Sequence, residues 1–181
     1  MKVTVVSSST RDGRISHGIA LALVNSLKER AHQTTLIDLA ELNLPMFEER
    51  FVNLENPSEE MKKAASILEE TEAFIFVTPE YNGNISSGLK NFVDVYAKAP
   101  FDGKPIGVAT GSTGGMGGIR AAYQLQHLIL CSFGYPYPHM LLTAHMDKVL
   151  RENGDISDTA YGEKLNVYLD KFLLFAGKFA E

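Results

Sequence analysis

The sequence predicts an α/β fold: a five-stranded parallel sheet with helices on both faces. Three observations lead there. Strand-like and helix-like hydrophobic periods alternate along the whole chain. Two strand-like runs, "KVTVVS" and "AFIFVTP", are apolar enough to be buried strands. No internal repeat, low-complexity tract or long linker interrupts the alternation, so residues 1–181 read as one domain with a single substantial core.

The elements follow in order. Lys2 to Ser7 is a Val-rich strand, and Ile15 to Ala31 a helix with Ile19, Leu23 and Leu27 on one face. "QTTLIDL" (33–39) is the second strand, followed by the irregular "NLPMFEERFVNLENP". Pro57 and Ser58 introduce "EEMKKAASILEE", whose acidic first turn suits the positive end of a helix. "AFIFVTP" is the third strand, and Ser87 to Lys98 a helix burying Leu89, Phe92, Val93 and Tyr96. "KPIGVATG" (104–111) is the fourth strand, with a helix from about Gly118 to Phe133 after it. "YPYPHMLLT" is a fifth strand that Pro136 and Pro138 confine to an irregular or edge position. In the closing helix, Leu165, Tyr168, Leu169, Phe172, Leu173 and Ala176 form a broad apolar stripe. Five such units favour the flavodoxin-like three-layer sandwich with strand order 2-1-3-4-5, whose ligands bind beyond the carboxyl ends of the strands.

Composition narrows the function. Hydrophobic residues make up 45% and charged residues 22%, an ordinary globular balance. A net charge of -5 argues against nucleic-acid binding, which needs a basic face. No apolar run approaches the ~20 residues of a membrane span. The single Cys, Cys131, permits no internal disulfide; in the apolar "HLILCSFGY" it reads as a buried structural thiol. "MKVTVVS" enters a strand at once, without the segments of a secretory leader, and a cytoplasmic location is expected. The five histidines lack metal-ligand spacing, and no metal site is expected. His139 and His145 lie near the fifth strand, where they line a pocket or sit at the surface.

If a ligand binds at the carboxyl edge, the loops after strands one, three and four should carry unusual residues, and they do. In "SSSTRDGRIS" (7–16), the hydroxyls of Ser7, Ser8, Ser9, Thr10 and Ser16 join the guanidinium groups of Arg11 and Arg14 at a helix start, a set suited to a terminal phosphate. A polar loop with an ordinary Ser/Thr cap is the plainer alternative. Neither common phosphate loop is present. Gly13 and Gly18 have P-loop spacing, but Ile19 stands where Lys is required, and no Gly-x-Gly-x-x-Gly follows strand one. In "TPEYNG", Tyr81 can flank an aromatic ring, Asn82 and Gly83 permit a tight turn, and Glu80 reads equally as ligand contact, subunit contact or solvated acid. In "TGSTGGMGGIR" (110–120), five glycines leave the backbone free to approach a flat group closely, with Ser112 and Thr113 as hydrogen-bonding side chains.

Together "SSTRDGRIS", "PEYNG…LKNFVD" and "GSTGGMGG" resemble the NADPH-dependent FMN reductases, a family that includes quinone, azo-dye and chromate reductases. The resemblance runs from Val3 to about residue 140. It implies non-covalent FMN, NADPH or NADH as electron donor, and a small-molecule acceptor. It also implies that Ser9, Arg11 and Ser16, with Thr10 and more weakly Arg14, hold the phosphate. Pro79, Glu80, Tyr81, Asn82 and Gly83 would border the ring, and Ser112, Thr113, Gly114 and Gly115 would close over its pyrimidine side and ribityl chain. Lys90, Asn91 and Asp94 would lock the strand-three loop to its helix. The cofactor carries the chemistry in such enzymes, so no catalytic side chain is expected. Departures from the family pattern are Ser8 for Gly, Asn84 and Ser86 for Ser and Pro, and Val95 for an aromatic. The rivals are a flavodoxin-type electron carrier that does not use NAD(P)H directly and a flavin-less interaction module. The apolar helices at 89–96 and 119–133 carry surplus surface, so a homodimer or homotetramer is expected.

Overall fold

A computed structural model describes residues 1–179. Its sheet has the expected order β2-β1-β3-β4-β5, and every neighbouring pair is parallel. The strands are β1 (Lys2–Ser7), β2 (Gln33–Asp38), β3 (Ala73–Pro79), β4 (Pro105–Gly111) and β5 (Tyr135–Thr143). The longer helices are α1 (Ile15–Glu29), α3 (Glu59–Glu70), α4 (Ser87–Tyr96), α5 (Ile119–Cys131) and α7 (Thr159–Ala176). Two single turns, α2 (Leu39–Leu42) and α6 (Met146–Val149), have no sequence signal of their own.

Strand residues alternate between two cores. Val3, Val5, Ile75, Val77, Ala109 and Leu141 pack under α1 and α7. Val6, Phe74, Phe76, Ile106 and Val108 pack under α3, α4 and α5. Both faces are covered, which is why the inner strands read as continuous apolar runs. β5 is an edge strand, as its two prolines require, and the β4–β5 register shifts between Ile106 and Val108. On the α3–α4–α5 face, Phe101, in the turn before β4, meets Phe74 and Phe76 edge-on at centroid distances of 5.4 and 5.6 Å, with Phe92 at 6.2 Å.

The register places the functional edge. Ser7 lies between Asp38 and Val77, Pro79 opposite Gly111, and Gly111 opposite Thr143. The loops after β1, β3, β4 and β5 therefore leave the sheet side by side. Because Phe101 is fully buried and joins three aromatic neighbours, Phe101→Ala is expected to cost about 3–5 kcal/mol. Urea unfolding measures this directly.

Candidate functional site

The β1 loop starts from a buried anchor, the Ser8 N–H donating to the Val77 carbonyl at 3.1 Å. Beyond it, the N–H groups of Ser9, Thr10, Arg11, Asp12 and Gly13 donate to no acceptor among the described residues. Helix α1 follows with Arg14 at its N-cap, no side-chain cap and no acid in its first turn. Every other helix of ten residues or more has a side chain on its first N–H groups. Ser58 caps α3, Ser86 caps α4, Asp158 caps α7, and Glu80, from another loop, caps α5. The positive end of α1 is thus left uncompensated beside the buried Ser9 and Ser16, with Thr10 and Arg11 exposed at the rim.

Arg14 is committed elsewhere. Its guanidinium forks onto Asp38 at the end of β2, Nη2 to Oδ2 at 2.6 Å and Nη1 to Oδ1, and Nη1 also donates to the Ser9 carbonyl at 3.0 Å. Arg14, the weaker of the two arginine candidates for a phosphate, thereby braces the loop from below. Asp38 also accepts the Ala40 N–H at 3.1 Å. Burial alone would raise the Asp38 carboxyl, but the hydrogen bonds from Arg14 and Ala40, with the Arg14 charge, outweigh it and hold the group below its usual range. His17 completes the cluster, with Nδ1 2.9 Å from Ser7 Oγ and 3.6 Å from Asp38 Oδ2. Burial lowers its pKa against the pull of Asp38.

After β3, Tyr81–Asn84 forms a two-residue turn closed by reciprocal backbone bonds of 2.9 and 3.0 Å. Asn82 (φ 52) and Gly83 (φ 76) take the left-handed conformations such a turn requires. The Tyr81 hydroxyl lies 3.0 Å from Ser9 Oγ, and the Arg11 guanidinium stands 5.7 Å from the Tyr81 ring centre. Ser86 donates to the Ser8 carbonyl and hydroxyl at 3.0 and 2.8 Å, joining the start of α4 to the β1 loop. Lys90, Asn91 and Asp94 do not lock this loop to its helix. Lys90 pairs with Asp94 within α4, and Asn91 bonds the Pro45 carbonyl (2.8 Å) and Phe47 N–H (2.7 Å), pinning the segment after α2 instead.

Glu80 is neither solvated nor turned outward. One oxygen accepts from Arg120 Nε and Nη2 at 2.8 and 2.6 Å, the other from the N–H groups of Arg120 and Ala121 at 3.0 and 3.3 Å. Burial favours the neutral acid, but these bonds and the Arg120 charge prevail, and the pKa lies below the usual carboxylate value. Arg120 ends the Gly-rich segment without a local sign of a partner. Only the fold shows which acid it meets.

The β4 loop is open. Gly114 and Gly115 are exposed, the N–H groups of Thr113, Gly114 and Gly115 have no acceptor among the described residues, and Ser112 Oγ donates to the Gly114 carbonyl at 3.2 Å. A fourth wall comes from the β5 loop. His145 Nδ1 lies 3.1 Å from the Thr113 carbonyl and therefore carries the proton, and the His145 N–H reaches the Gly114 carbonyl at 3.3 Å. A side chain at Gly115 would meet His145 Nε2 at 3.6 Å.

The family model of the NADPH-dependent FMN reductases matches residues 1–147. The chain belongs to that family. An NAD(P)H-dependent FMN reductase of Nectria sp is 32% identical over 68% of this chain and 65% of its own length. A quinone reductase of Pseudomonas putida is 31% identical over 71% of this chain and 69% of its own. The chain thus spans about two thirds of these relatives. The solved structure of a Paracoccus denitrificans NAD(P)H:(acceptor) oxidoreductase superposes with a TM-score of 0.82 at 22% identity, covering 98% of both chains. An archaeal flavodoxin superposes at 0.60 with 15% identity. These two likenesses show the fold.

A groove of about 1030 Å3 on this FMN reductase family member runs between α4 and α5, starting at the end of the β3 loop, where Asn84, Ile85 and Ser86 line it. Cys131 lines it and is exposed, 3.6 Å from His127 Nε2, which corrects the expected buried thiol. No described helix is long and apolar enough to cross a membrane.

The Asp38 cluster has a pH signature. Its folded pKa lies below the unfolded value, so its stabilisation is complete above about pH 4 and is lost as pH falls through the depressed value. In unfolding free energies measured against pH, wild type is expected to exceed Asp38→Asn at neutral pH, and the two curves should converge in acid.

Proposed function

We propose that this chain is an FMN-dependent NAD(P)H oxidoreductase acting in the cytoplasm on small electron acceptors such as quinones, azo dyes, free flavins or metal oxyanions. The observation carrying this reading is the uncapped start of α1, five unpaired N–H groups followed by an uncompensated helix end, beside two buried serines. These donors fit a terminal phosphate, with Ser9, Thr10, Arg11 and Ser16 as its ligands and Arg14 as the brace. The edge between the Pro79–Gly83 turn and Ser112–Gly115 fits a flat ring, because free N–H groups and exposed glycines let polar ring atoms meet backbone directly. FMN bound there would supply the redox chemistry of a ping-pong reductase, with NADPH or NADH as the electron donor. The chain's own residues fix the phosphate, orient the ring edge and leave one side open to donor and acceptor in turn.

We also propose that a second copy pairs on the α4–α5 face. The groove there is concave and partly apolar, while Tyr123, Leu130 and Phe133 project at 59, 59 and 54% exposure on and after α5. A two-fold contact needs both a receiving and a projecting surface on one face. Light scattering at micromolar concentration is expected to give at least a dimer, and a monomer would contradict it.

Protein incubated with FMN and desalted should keep the two visible flavin bands, which bleach on anaerobic addition of NADPH. Bands that persist would identify an electron carrier with another donor, and no bands would overturn the reading. Arg11→Ala should weaken FMN binding about tenfold or more, the scale of a hydrogen bond to a charged group. Riboflavin, which lacks the phosphate, should bind it as well as wild type.

A further inference from the structure

We propose that Glu80 and Arg120 are a positioning pair that holds the ring-binding half of the site together, Glu80 acting through Arg120 and the start of α5 and not by touching the ring. The inference rests on the FMN-binding reading above and goes further, because it gives each half of the site its own ion-pair brace.

The geometry carries it. Glu80 leaves the sheet beside Gly111, its N–H donating to the Gly111 carbonyl at 3.2 Å. Its carboxylate, 8% exposed, takes four donors, all from Arg120 and Ala121. Gly118, at the N-cap of α5, has no side chain to cap the helix, so Glu80 caps it from across the site. The residue after Glu80 opens the Tyr81–Asn84 turn, and the residues before Arg120 are the Gly-rich segment. One carboxylate therefore sets the spacing of the two walls that would face a flat ring. A side chain at Gly83 would lie 3.7 Å from Arg120 Cδ, so Arg120 also backs the turn. With all four donors on the carboxylate internal, Glu80 is held as a brace. The β1 loop has its own brace in Arg14 and Asp38 and meets this half through the Tyr81 hydroxyl, 3.0 Å from Ser9 Oγ.

The two halves give opposite signatures in flavin binding. A brace of the ring half should affect FMN and riboflavin alike, because both carry the ring. A phosphate contact should affect FMN alone. Glu80→Gln, Arg120→Met and the double variant are titrated with FMN and with riboflavin by fluorescence quenching, and the visible spectrum of each complex is recorded. Arg120→Met leaves Glu80 free to cap α5, so it probes the pair if Glu80→Gln folds poorly. Both single variants should lose about tenfold in affinity, the scale of a charge-assisted bond. FMN and riboflavin should be equally affected, the visible bands should shift, and the double variant should be no weaker than Glu80→Gln. Arg120→Lys should recover part of the loss.

Unchanged affinity and spectrum in both single variants would overturn the pairing role, even if the flavin-free protein melts earlier. A loss confined to FMN would overturn it too, placing the pair at the phosphate. A wild type that binds neither flavin would overturn the FMN-binding reading itself, which separates that failure from failure of the brace alone.

Discussion

A parallel sheet sends the carboxyl end of every strand to one edge, and the rest of this structure depends on that constraint. Ser7, Asp38, Pro79, Gly111 and Thr143 all end their strands there, adjacent in register. Backbone groups that the ladder no longer pairs must find partners or be left for a ligand. The two carboxylates drawn into this edge, Asp38 and Glu80, are both largely buried. Each takes a forked arginine and at least one backbone N–H. An unpaired carboxylate in either place would carry a large desolvation cost. The arginines therefore serve the scaffold before they serve any ligand.

This pairing determines where the edge stays electrically open. Glu80 consumes the positive end of α5, Ser86 that of α4, and Asp38 neutralises Arg14. The start of α1 has no side chain on its donors; of them, the His17 N–H turns inward to the Arg14 carbonyl at 3.0 Å. In a chain of net charge -5, that concentrates anion affinity at one point of the edge. The ring side keeps a different resource, the unpaired N–H groups of Thr113, Gly114 and Gly115, which favour hydrogen-bond acceptors over full charges.

The sequence makes most of the architecture legible because each element carries a local signal. β1, α3, β3 and β5 have the bounds that their periodicity and flanking residues indicate, and β5 takes the edge that Pro136 and Pro138 demand. The three loops are legible because strand ends with unusual residues need only the fold class for their placement. The pairings are not. Arg14 is 24 positions from Asp38, and Glu80 is 40 from Arg120. Nothing local selects these partners, so Arg14 reads as a free cation and Glu80 as ambiguous. Asn91 fails likewise, since its partners Pro45 and Phe47 belong to an irregular segment. Cys131 fails through geometry. It lies two residues past the buried Ile129, about 200° round the helix, and so leaves the core stripe that its apolar neighbours imply.

On the proposed reading, selectivity follows from how the two ends are built. The phosphate end has buried serines and a loop braced by Arg14 and tied to α4 through Ser8 and Ser86. Its donors are fixed before a ligand arrives, so little ordering cost is left to binding, and a phosphate that fits gains the full strength of those donors. The ring end is held by one ion pair around a glycine-rich segment that makes few bonds of its own. Backbone N–H groups recognise carbonyl and ring nitrogen acceptors generally, and Gly114 and Gly115 bring no side chain to the opening. Such an edge binds its cofactor through one discriminating end and leaves the reacting face permissive, a division suited to an enzyme that reduces many acceptors.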